Sequence, residues 1–422
     1  MINRNFLIIV LGQIISLFGS AIQRFSMSLY LLEFTGSTAT FANILAISTL
    51  PYILFAPIAG RLTDRMNRKK IMVWLDFLCS LLIGAYAFVL FEGKDHVGIV
   101  AVVMFLLSVS ATLYGPAVAA SIPQVVSEEK LTSANGIVNQ VGAIVNFAGP
   151  ILAGVLYGLM GIKLIVVINA VSFLASAIME LFLKIPDIVG AEKAVETEVI
   201  IEAQEKKGAA NIKFVKDSFV DMKESFKYLK KEKQVILGII ISYALGNIFL
   251  VPILSIVAPF FINVKLGLPS QVYGFVEGIC VLGMILGGFW ISVKPKLFKI
   301  EKAHYTYFPM IVGVFMMSAI GFMHLNAYVL AGLFAFSGLA IMLSLSLSNV
   351  LTLTFIQKEI PAEMLGRVSA LSTAVATVSV APGQLLFGQI IETGMPIGII
   401  LLITALANIG VVMFVRWNVR NI

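Results

Sequence analysis

The chain has 422 residues, of which 59% are hydrophobic and only 13% charged, and its formal net charge is +7. Soluble domains run at about 45–50% apolar and about 25% charged, so the composition excludes an ordinary water-soluble protein and points to lipid as the solvent. Excess Lys and Arg in such a chain belong on the cytoplasmic side of a membrane, and no nucleic-acid partner is expected.

Crossing a hydrocarbon core takes about 20 apolar residues. Six stretches in the first half qualify: Phe6–Leu32, Thr38–Gly60, Ile71–Phe91, Val97–Ser121, Ser133–Gly158 and Ile162–Leu183. Six follow in the second half: Val235–Val264, Ser270–Val293, His304–Met323, Ala327–Val350, Gly366–Ile391 and Met395–Val415. The expected fold class is therefore an all-α membrane protein of 12 transmembrane helices. The first stretch is too long for a signal peptide and is expected to remain as an uncleaved span. Cys79 and Cys280 both lie inside spans, which argues against a disulfide framework.

With the N-terminus inside, 26 of the 30 Lys and Arg fall in cytoplasmic segments, and only Lys94, Lys163 and Lys265 fall outside. That asymmetry places both termini on the cytoplasmic side of the membrane. The remaining cation, Arg24, lies deep within a span. Residues 185–234 form the only long polar stretch and separate an N-terminal half, 1–184, from a C-terminal half, 235–422. Within it Phe219, Met222, Phe226 and Leu229 recur at steps of 3, 4 and 3 among lysines, the pattern of an amphipathic helix. It lies either on the membrane surface or under the bundle.

The halves repeat weakly. LTSANGIVNQVGAIVNFAGPILAG, starting at Leu131, and LGRVSALSTAVATVSVAPGQLLFG, starting at Leu365, share Leu, Val, Gly, Leu and Gly in register. Both follow a proline-and-acid loop at matching topological positions. Parallel six-span halves imply alternating access around a site between them.

GRLTDRMNRKK, from Gly60 to Lys70, follows span two. In that loop, in a chain of six plus six spans, it resembles the major facilitator superfamily signature G-x-L-x-D-R-x-G-R-[KR], through Gly60, Leu62, Asp64, Arg65, Arg68 and Lys69. Asn67 stands at the usual glycine and is expected to adopt the left-handed turn. The resemblance implies secondary transport. It also implies a conformational latch of Gly60, Asp64, Arg65 and Arg68 with Gly366 and Arg367, in which the Asp64 carboxylate sits at the positive start of span eleven. GQIISLFGSAIQRFSMSLYLLEFTGS and PAEMLGRVSAL look like bacterial macrolide-efflux-type exporters. GPILAG, Gly149 to Gly154, is similar to the antiporter motif of span five. The branch implies proton-coupled efflux of amphipathic drugs, by a monomer needing no cofactor beyond a proton or sodium gradient. A facilitator or exporter of one solute, such as a lysophospholipid or siderophore, is the alternative.

An ionisable group within a span is costly and marks function. Arg24 and Glu277 lie deep at similar depths and are expected to form a coupling pair across the cavity, with a static brace as the competing role. Asp76 is a shallower coupling candidate. Glu180 is expected to pair with Lys184 four residues on, and Glu33 and Glu392 to lie at the outer surface. Candidates for the substrate cavity are Gln13, Gln23, Tyr30, Tyr114, Asn139, Asn146, Tyr243, Asn247 and Asn349. Gly149, Pro150 and Gly154 of span five, with Gly274 and Gly278 of span eight, are expected to form tight packing between the halves. Gly283 and Gly287 extend the glycine series of span eight. No metal site, HExxH, GxSxG or P-loop is present.

Overall fold

The computed structural model describes residues 4–55, 58–59, 62–63, 66–127, 131–185, 223–298 and 300–421. Among them the chain is helical and contains no strand. The N-terminal helices are α1 (Arg4–Thr35), α2 (Thr38–Leu54), α3 (Arg68–Phe91) and α4 (Val97–Val125). The helix Leu131–Leu181 breaks at Gly161 (φ 67°, ψ 178°), which divides it into α5 (131–160) and α6 (162–181). A short helix, α7 (223–232), precedes α8 (Gln234–Pro252), which continues through π-helical turns to Lys265. The rest are α9 (Ser270–Val293), α10 (Phe308–Ile320), α11 (Ala327–Glu359), α12 (Ala362–Val378), α13 (Val380–Glu392) and α14 (Ile397–Asn418).

Ten of these elements are long and apolar enough to cross a membrane. One of them is the α5–α6 pair, which supplies two passes. The 17-residue α2 adds another, and twelve passes result. The protein is thus a multi-pass membrane protein, because an apolar helix satisfies all its backbone polar groups internally, as a lipid environment demands.

Among the described residues five glycines have positive φ: Gly36, Gly93, Gly161, Gly267 and Gly394. Each sits in a turn that the lysine and arginine count assigns to the outside. Only glycine enters that conformation without strain, so these connections can be very short. Asn67 behaves differently from expectation. Its φ is −58° and ψ 118°, and its side chain accepts a hydrogen bond from Lys70 N, which makes it the N-cap of α3. Asparagine satisfies an orphan backbone donor there, so no left-handed turn is required.

The chain forms two compact units whose boundaries differ from the sequence halves. One unit comprises 1–24, 50–145 and 162–223, and the other 25–49, 146–161 and 224–422. The outer parts of α1, α2 and α5 therefore belong with the C-terminal helices. The first unit has a core of Phe6, Ile9, Met72, Ala117, Ile122 and Leu183 with their neighbours. In the second, α9 packs most extensively against α11. Of the amphipathic stretch, Phe219 and Met222 lie outside the described residues. Leu229 is fully buried while Phe226 is exposed, so α7 is anchored by one residue of its expected apolar face.

Candidate functional site

In the first unit, α1 and α6 meet along matching stripes. Gly12, Ser16, Gly19 and Gln23 recur at steps of 4, 3 and 4, and Asn169, Ser172, Ser176 and Glu180 at 3, 4 and 4. Each set lies along one face of its helix. Gln23 accepts a hydrogen bond from Asn169 Nδ2 at 2.6 Å. Gly19 lies against Asn169 and Ser172. Ser176 Oγ donates to the Gly12 carbonyl at 3.3 Å, and a Cβ on Gly12 would come within 3.8 Å of the Glu180 carboxyl. The small residues of α1 let the polar side chains of α6 lie flat against its backbone.

At the Gly12 end this stripe becomes an acid centre. Tyr114 of α4 donates to Glu180 Oε1 at 2.6 Å. Asp76 of α3 interacts electrostatically with both Glu180 and Tyr114, and the hydroxyls of Ser176 and Ser16 contact it. Glu180 is 0% exposed and Asp76 2%. Glu180 is the penultimate residue of α6, where the negative pole of the helix also lies. Among the described residues no lysine, arginine or histidine forms an ion pair with either acid. Asp76 Oδ2, Glu180 Oε2 and Gln13 Oε1 are buried without a hydrogen-bond partner. Such an acceptor costs about 1–3 kcal/mol.

Sequence reasoning missed Glu180 as a member of this centre. The expected pair with Lys184 does not form, because α6 ends at Leu181 and Lys184 lies beyond the helix. There the backbone of Lys184 is bracketed by the side chain of Asn5. The signal that could have found Glu180 was the polar stripe of α6 beside the small-residue stripe of α1. Two cavity candidates take part in these contacts: Gln23 and Tyr114 are buried and bond to Asn169 and Glu180 of α6.

Of the other candidates, Asn247 donates to the Ala376 carbonyl at 3.0 Å, again an interhelical bond. Tyr30 stacks on Phe34 one turn along α1. Tyr243 is half-buried, while Asn146 and Asn349 are exposed. Asn139 lies in α5, with its side chain outside the described residues.

Glu277 of α9 is half-buried and exposed Arg24 lies near the middle of α1. Glu277 accepts a hydrogen bond from Tyr273. The Tyr273 ring stacks on Phe25 at 4.8 Å. Glu277 is thus held by a tyrosine one turn away.

The second unit also contains the glycine contacts of α5 with α9. A Cβ on Gly154 would lie 2.6 Å from the Ser270 carbonyl, and one on Gly274 2.5 Å from the Pro150 carbonyl. Ser270 Oγ donates to the Gly154 carbonyl at 3.1 Å. Gly149 is buried beside Pro150. Gly278 meets Ile151, but Gly283 and Gly287 face the backbone of α11 at Leu339 and Leu343. The nine steps from 274 to 283 turn a helix through about two and a half revolutions, so the single series of glycines serves two opposite faces.

The signature loop is partly described. Gly60, Asp64 and Arg65 lie outside the described residues, and Gly366 and Arg367 fall in the first half of α12. Arg68 Nη1 donates to the Ala120 carbonyl at 2.9 Å and Lys69 Nζ to the Leu181 carbonyl at 2.7 Å. Arg68 is therefore turned to α4 of its own unit, where helix-terminal carbonyls attract a cation. At the other end of the spans, Glu392 Oε2 accepts from Ala39 N at 3.2 Å, at the start of α2. Glu33 is similarly engaged, accepting from Tyr157 at 2.6 Å.

Apolar helices stitched by buried polar contacts are the architecture of a polytopic membrane protein. The Major Facilitator Superfamily model matches residues 9–384, and the chain belongs to that family. It is a membrane transporter and not an enzyme. It is 27% identical over 403 residues to "Macrolide efflux protein A" of Streptococcus pyogenes, covering 95% of this chain and 89% of the relative. Its fold is similar to that of a bacterial homologue of the iron transporter ferroportin in an inward-facing state. That match has a TM-score of 0.72 and 17% identity and covers 98% of both chains. It is similar also to a variant of the nucleoside transporter NupG, with a TM-score of 0.75, 13% identity and coverage of 98% and 100%.

Proposed function

We propose that the protein exports amphipathic small molecules of the macrolide class in exchange for protons, by alternating access, with both termini in the cytoplasm. The similarity to a macrolide efflux protein along 95% of the chain carries the substrate class. The charge asymmetry of the loops supports the orientation. Proton exchange is supported by carboxyls sealed inside the membrane-spanning helices, since an intramembrane acid is retained where it serves transport.

The test uses everted membrane vesicles holding an imposed pH gradient. Macrolides, cationic dyes and lysophospholipids are added in turn, and proton release is recorded. Release triggered by macrolides is the expected result. Movement of a lysophospholipid with no proton release, and no response to macrolides, would overturn the proposal in favour of a facilitator of one solute.

A further inference from the structure

We propose that the Asp76–Glu180 pair is the proton-binding site of this transporter, a centre enclosed by α1, α3, α4 and α6. Its role in coupling rests on the proton-exchange reading above, but the site itself stands on hydrogen-bond arithmetic. The centre holds two buried acceptor atoms without partners, Asp76 Oδ2 and Glu180 Oε2. The one phenol donor nearby, Tyr114, is already used by Glu180 Oε1. What these two carboxyl oxygens lack is a donor.

A carboxylate only accepts hydrogen bonds, whereas a carboxylic acid carries an O–H donor. One proton bound to the pair therefore converts an orphan acceptor into a donor, adds no heavy atom to a packed site, and removes one of two like charges held close together. The step is a simple addition of H⁺ to one carboxylate oxygen, and its loss regenerates the anion. The other titratable groups facing the pair are Tyr114 from α4 and Cys79, one turn along α3, whose thiol meets Ser110 of α4. The faces of α1 and α6 contribute the neutral hydroxyls of Ser16 and Ser176.

Infrared spectroscopy of the full chain in lipid tests the site without any substrate. The wild type should show the carbonyl band of a buried protonated carboxyl at neutral pH, vanishing on alkalinisation. Asp76→Asn and Glu180→Gln should each remove or shift it. Tyr114→Phe keeps both acids and should leave the band with a changed frequency, a result that stands even where an acid variant fails to fold. Absence of the band in the wild type, or a band unchanged in all three variants, would overturn the proposal. Loss of the band on adding sodium chloride at fixed pH would overturn it in favour of a sodium site. The vesicle assay then separates the two readings. Macrolide-triggered proton release that survives in both acid variants would remove the pair from coupling and leave export standing. A wild-type band without any macrolide response would fail the export reading and leave the proton site standing.

Discussion

Tyr114 with Glu180 and Tyr273 with Glu277 are the same two functional groups in two different settings. Glu180 is sealed beside a second carboxyl, and both acids keep an unpartnered buried oxygen. Glu277 is half-buried, accepts from a tyrosine one turn away on its own helix, and belongs to a helix braced by stacking of Tyr273 on Phe25. The difference teaches that the position of an acid along its span is a poor guide to its role. Glu277 lies deep in the sequence and Asp76 and Glu180 shallow, yet the shallow pair carries the tighter constraint. Burial and company set that constraint, and both depend on which faces of neighbouring helices meet.

The sharpest way to break the comparison is to neutralise each acid in turn. Asp76→Asn and Glu180→Gln should each lower macrolide efflux at least about tenfold, roughly 1.4 kcal/mol in the transport barrier. Glu277→Gln should stay within about twofold. Equal losses in all three, measured as drug accumulation in cells with matched expression, would erase the distinction. Gly274→Val tests the scaffold that carries Tyr273 and Glu277. Its new side chain meets the Pro150 carbonyl, and overpacking of this kind costs about 1–3 kcal/mol, to be read as a lowered melting temperature in detergent. Removing the hydroxyls sharpens the contrast. Tyr114→Phe strips a partner from a sealed carboxyl and should cost about 1–3 kcal/mol, whereas Tyr273→Phe keeps its ring stack and should cost about 0.5–1.5 kcal/mol.

The smallest effect belongs to the Lys233–Glu359 bridge, 2.8 Å long and solvent-accessible. Lys233→Ala should cost at most about 1 kcal/mol and less in high salt. The Glu359 carboxylate raises the Lys233 pKa above the ordinary lysine value. The bridge is therefore fully present at neutral pH and is lost only as pH rises through that raised value, which a melting series in alkaline buffers can follow.

Much of the fold was legible in the sequence because lipid imposes a simple rule: long apolar runs become helices. The twelve passes follow from it, as do turns at Gly36, Gly93, Gly161, Gly267 and Gly394. The acid centre was harder to read. Depth is a property of one helix, whereas the facing of α1 on α6 involves two, although Gly12, Ser16, Gly19 and Gln23 announce a polar seam by their spacing. Polarity in a span has two uses, a cavity wall or an interhelical bond, and the bonds of Gln23 and Tyr114 to Asn169 and Glu180 become visible only once the helices are packed. The two compact units were not legible either. Chain order divides the molecule at the long polar segment, whereas packing assigns the outer parts of α1, α2 and α5 to the C-terminal helices.

The bond from Ala39 N to Glu392 has a consequence for mutational genetics. One partner is a side chain and the other is backbone, which every residue except proline supplies at position 39. A saturation library should therefore record sensitivity at position 392 and near silence at position 39, with proline as the exception. The expected effect at 392 is about 0.3–1 kcal/mol, the usual value of a carboxylate at a helix start. A search for paired substitutions would find no second site to match it, because half of this contact is written in the main chain.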